Sequence, residues 1–137
     1  MFFKKKIEKQ SNSQLIKIAA LMIHAGKIDE NFSKQEEMII KQALLKMGAN
    51  TENIEQIIEQ SKVIEENTNQ ILDFTKEVKM MDEEKKIEII ETLWRIIYSN
   101  KDADIYETNL MRRLAGLMYI DNKIMGSIKE KIKKEIS

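Results

Sequence analysis

An all-α fold, a compact bundle of about seven helices, is predicted by three observations on the 137-residue chain. Apolar residues recur at helical spacing along nearly its whole length, and no stretch sustains the alternation of a half-buried strand. There is no proline and only four glycines. A helix–loop–helix pattern in the first half also recurs in the second: Ile18-Ala19-Ala20-Leu21-Met22-Ile23-His24-Ala25-Gly26 aligns with Leu93 to Lys101, and Glu36 to Leu44 with Glu107 to Ala115. A repeated helix pair implies an internal pseudo-twofold, relating residues of about 14–47 to 89–118. It also directs attention to the two inter-helix loops as the site.

The elements follow in order. Leu15, Ile18, Ala19, Met22 and Ile23 lie on one stripe of a helix that should end at Gly26. Upstream, Met1-Phe2-Phe3-Lys4-Lys5-Lys6 reads as a frayed terminus or short helix. The sharper alternative is a peripheral membrane contact through Phe2 and Phe3. Ser33-Lys34-Gln35-Glu36 is a capping box that starts the second helix, with Met38, Ile39, Ala43, Leu44 and Met47 inward and Gly48 closing it. Thr51 is expected to cap a third helix with Ile54, Ile57, Ile58 and Ile64 buried, and Asn67-Thr68-Asn69 to separate it from a fourth carrying Ile71, Phe74 and Val78.

Asp82, Glu83 and Glu84 place negative charge at the start of a fifth helix, where the helix dipole favours it; Ile87, Ile90, Trp94 and Ile97 follow inward, with Trp94 a core anchor. A sixth helix buries Leu110, Met111, Leu114, Leu117 and Met118. The last starts at Asp121 or Asn122 and repeats isoleucine at 124, 128, 132 and 136 to cover the core.

The length suits one domain, with no linker dividing it. Lys+Arg and Asp+Glu are both 23, so no global field draws the chain onto nucleic acid. The lack of cysteine excludes thiolate chemistry, disulfides and sulfur-ligated zinc, and fits a reducing, cytoplasmic setting. The longest apolar run near the start, Ile18 to Ile23, is far short of the ~20 residues that span a bilayer.

Catalytic signals are lacking. One histidine, His24, cannot supply the paired Glu-x-x-His motifs of a di-iron bundle, and no phosphate loop or nucleophilic triad is present, so the expectation is that the chain is not an enzyme. The loops remain. Asp29-x-Asn31-x-Ser33 and Asn100-x-Asp102-x-Asp104 alternate oxygen side chains as calcium loops do, but glycine at loop position six and glutamate at position twelve are missing, which excludes an EF-hand. Ser33/Glu36 and Asp104/Glu107 also have capping-box spacing.

With those residues laid out, the chain resembles the TerB-like family, small helical domains related to the tellurite-resistance protein TerB and to a region of some membrane-anchored J-domain co-chaperones. The likeness covers roughly Leu15 to Ile120 and rests on Ala19 to Asp29 with Glu36, on Leu93-Trp94 through Asn100 with Asp104, Tyr106 and Glu107, and on Arg112-Arg113-Leu114-Ala115. Ala25 stands where the family pattern has an aspartate, and Asn100-Lys101 where it has Asp-Gly. The resemblance implies a seven-helix cytoplasmic domain over 1–137, linked to stress or tellurite resistance and acting by binding rather than catalysis. The leading expectation is a non-catalytic module presenting Asp29, Asp102 and Asp104 to a protein partner, with no cofactor. The alternative is a divalent-cation sensor, for calcium or magnesium, with Asp29, Glu36, Asp104 and Glu107 as ligands.

Overall fold

A computed structural model describes the backbone of residues 2–27, 33–68, 71–99 and 105–136, and side chains within 12–27, 33–68, 71–99 and 108–136. Seven helices occur among them, with no strand: α1 (Phe2–Gly26), α2 (Lys34–Lys46), α3 (Ile54–Asn67), α4 (Leu72–Lys79), α5 (Glu83–Tyr98), α6 (Ile105–Leu117) and α7 (Asn122–Ile136). The all-α bundle predicted from the periodicity is therefore the fold.

Every residue from Ile18 to Ile23 is buried, as are Leu15 and Ala25. A helix apolar all the way round must be surrounded, and α1 packs on α2, α3, α4 and α5. Its helix begins at Phe2, continuous with the apolar stripe rather than a separate short element. Against α3 it runs parallel: Asn53 Nδ2 donates to Asn12 Oδ1 at 3.4 Å, and Lys27 Nζ to Glu65 Oε2 at 3.3 Å. Between these points the fully buried Ser61 hydroxyl lies 3.0 Å from the Ile16 carbonyl oxygen and 2.6 Å from that of Ile57. A small side chain here lets the helices approach, and its one polar group is satisfied.

α5 is the second central helix and packs on α1, α2 and α7. The Asp82 carboxylate accepts from the Lys85 N–H at 3.0 Å, giving the expected acidic start. Trp94 is 2% exposed and stacks on Tyr98 with ring centroids 5.8 Å apart. Its indole nitrogen is buried and has no hydrogen-bond partner among the described residues; an unmet donor of this kind costs about 1–3 kcal/mol. α7 lies along α5 through Met125, Ile128 and Ile132, and the Arg95 guanidinium clasps Glu135 by two bonds of 2.8 and 3.1 Å. Ile136, expected inward, is 47% exposed because it stands in the last turn, one turn beyond the buried Ile132.

Two other expectations are corrected. In α2 the buried row is Glu36, Ile40 and Leu44, while Met38 is 61% exposed. The helix is wedged between α1, α3 and α5, which selects the 36/40/44 row over the one through Met38. Thr51 does not cap α3. Asn50 Oδ1 accepts from the Glu52 and Asn53 N–H groups at 3.1 and 2.9 Å, closing an Asx turn, and the helix starts after Asn53.

α2 and α6 end alike. The Ala49 N–H reaches the Leu44 carbonyl and the Gly48 N–H that of Leu45; Ile120 and Tyr119 repeat both bonds to Ala115 and Gly116. Gly48 (φ 117°) and Tyr119 (φ 56°) occupy the left-handed position of these Schellman motifs, and they stand 71 residues apart, as do Glu36 and Glu107.

Candidate functional site

The helix ends that flank both inter-helix connections gather at one end of the bundle. α2 runs antiparallel to α5: Lys46 and Met47 border a cleft with Asp82 and Lys85 at the start of α5. Ile39 and Ala43 border another with Glu91, Thr92 and Arg95 further along it. Leu15 and Ile18 of α1 also line the first cleft. The start of α2 therefore lies at the same end as the finish of α5, with the finish of α1 joined to it through residues 28–32.

At this end the capping box forms as its spacing requires. The Glu36 N–H donates to Ser33 Oγ at 3.1 Å, and Glu36 Oε1 accepts from the Ser33 N–H at 3.1 Å. Glu36 is 1% exposed, so its carboxylate is engaged in starting α2 and is not displayed on the surface. Of the other sequence-derived candidates, Asp29, Asp102 and Asp104 lie outside the described residues. Glu107 is the third residue of α6, with its side chain outside them. Among the described residues no three His, Asp or Glu side chains come together to hold a metal ion.

A charged cluster that sequence spacing did not bring together joins the C-terminal ends of α1 and α3. Glu65, 9% exposed, pairs with Lys27 at 3.3 Å, and His24 Nδ1 lies 4.0 Å from its other oxygen. Burial depresses the His24 pKa below its usual 6.5; the Glu65 charge opposes this, while Arg113 of α6 and Lys27 reinforce it. His24 is therefore neutral at pH 7, and Lys27 carries the compensating charge for Glu65. The 38-residue gap between Lys27 and Glu65 hides the pair from any local motif. Its only legible sign was a polar residue, His24, closing an apolar helix.

Comparison with known families gives a match that covers most of the chain. The sequence model described as "Tellurite resistance protein TerB" matches residues 15–130, from the buried half of α1 into α7. No curated protein and no solved structure matches the chain. Since the matched stretch takes in both helix pairs, the middle helices and most of the last, the chain belongs to the TerB family of tellurite-resistance proteins.

Proposed function

We propose that this TerB-type chain is a non-catalytic, cytoplasmic interaction module serving a stress or tellurite-resistance response. It binds a protein partner through the acidic connections between α1 and α2 and between α5 and α6, with Asp29, Asp102 and Asp104 as contact residues. The observation that carries this reading is the gathering of the flanking helix ends at one end of the bundle, so that two connections distant in sequence can serve one surface. Glu36 supports it from the other side, because a carboxylate committed to a cap is a poor first choice for a cation ligand.

The test is the triple change D29N/D102N/D104N, which removes charge while keeping asparagine's capping ability at helix starts. Parent and variant with matching thermal melts are compared by quantitative affinity capture. A partner retained by the parent and lost by the variant is expected; identical partners for both would defeat the proposal. The alternating oxygen side chains of Asp29-x-Asn31-x-Ser33 favour the cation reading. A calcium- or magnesium-dependent rise in melting temperature that vanishes in Glu36→Gln and Glu107→Gln would put that reading first.

A further inference from the structure

Away from the acidic connections, a cleft of about 220 Å³ opens to solvent where α6 and α7 meet over α5. Trp94, Met111 and Met125, all buried, contribute its apolar wall, and Arg112 and Lys129 its charge. The Lys129 ammonium stands 5.4 Å from the centre of the Trp94 ring. Among the described residues neither Arg112 nor Lys129 has an ion-pair partner. Although the whole chain is neutral, residues 108–136 hold seven Lys/Arg against three Asp/Glu; Glu135 is taken by Arg95, and of the cations Lys131 is paired with Glu91 of α5. At Gly126, another lining residue, a Cβ would meet nothing within 4 Å, so α7 leaves a gap beside the aromatic ring. Trp94 itself carries the unmet indole N–H.

We propose that this cleft docks an acidic segment of a protein partner, seating one apolar side chain against Trp94 and Met125 while flanking carboxylates meet Arg112 and Lys129. Charge complementarity selects the acidic chain. The volume selects a single side chain, since sites for whole small molecules run to about 300–1,000 Å³. The surface is basic and methionine-lined, so it is distinct in chemistry from the acidic connections and does not depend on their role.

Trp94 is the one tryptophan of the chain, so its indole N–H gives a single, site-specific NMR resonance. The probe is a synthetic octapeptide of Asp and Glu with one central Phe. It should shift the indole resonance saturably and bind at least about tenfold more weakly at 0.5 M than at 0.05 M salt, as screening of the two cations requires. R112E/K129E, reversing the exposed Arg112 and the half-buried Lys129 over the Trp94 ring, should abolish the shift while the protein stays folded, with only a small loss in the melt from the missing cation–π contact. Gly126→Leu, which fills the gap, should do the same; if that variant does not fold, the charge reversal alone decides. The proposal falls if the peptide leaves the indole resonance unmoved at millimolar concentration, or if binding survives R112E/K129E. It also falls if a peptide with Ser for Phe binds equally, which would remove the seat. Phenylacetate or single-stranded oligothymidylate saturating the site as tightly as the peptide would overturn the choice of occupant.

Discussion

Trp94→Ala tests how the centre of the bundle is held. With the parent residue 2% exposed, the substitution deletes almost the whole indole from the interior. Aromatic-to-alanine changes in cores cost about 3–5 kcal/mol. Two features place the expected value near the lower end. The Nε1–H has no partner, so no hydrogen bond is lost and an unmet donor is removed. Trp94 also borders the open cleft between α6 and α7, so the void can hydrate. Against this, Tyr98 loses a stacked neighbour, worth about 0.5–1.5 kcal/mol. The net expectation is about 3 kcal/mol, or roughly 10–15 °C in melting temperature for a chain of this size. Circular dichroism at 222 nm is the assay, because the variant has no tryptophan fluorescence. Trp94→Phe keeps a ring and discards the unpaired donor, and should lose less than about 1.5 kcal/mol. A Trp94→Ala protein melting within about 1 kcal/mol of the parent, or a Phe variant as damaged as the Ala one, would refute the reasoning.

His24 should make stability pH-dependent in a window where no other side chain of ordinary pKa titrates. Its folded value lies below the unfolded 6.5, so the unfolded chain binds the extra proton, and stability falls as pH drops from about 7 through 6.5 toward the folded value. Urea unfolding at pH 7.5 and 5.5 should show this loss in the parent and not in His24→Gln. At the capping box, Ser33→Ala should cost about 0.5–2 kcal/mol by thermal melt. Glu36→Gln keeps an acceptor for the Ser33 N–H and should cost less; the reverse order would remove the box as the reason for Glu36 burial.

Much of this architecture was written locally. Helix starts at Ser33 and Asp82 and the helix end at Gly48 depend on contacts within five residues of the chain, and each stands where the spacing placed it. Choices made by neighbouring helices were less visible. Met38, Ile39 and Ile40 are three adjacent apolar residues of α2, compatible with more than one inward face, and only the position of α1, α3 and α5 decides for Ile40. Asn50 and Thr51 are both competent caps; the Asn50 side chain wins by folding back to accept from the Glu52 and Asn53 N–H groups, which delays α3 to Ile54. For the candidate site, sequence identified the Ser33/Glu36 pair but not that Glu36 is buried. Neither the Glu65 cluster nor the Trp94 cleft could be read, since each joins residues from helices whose mutual placement no local pattern encodes.

The enclosure of α1 has a consequence for how the chain is made. Its segment Ile18–Ile23 leaves the ribosome before the helices that cover it, α2, α3, α4 and α5, and the last of these ends only at Tyr98. Throughout that interval a nascent chain carries a greasy rod with one flank bare, a natural client for a holding chaperone. The two halves that read as duplicates are therefore not interchangeable in time: the first waits for the second, and synthesis halted before α5 yields a sticky intermediate instead of a smaller working module.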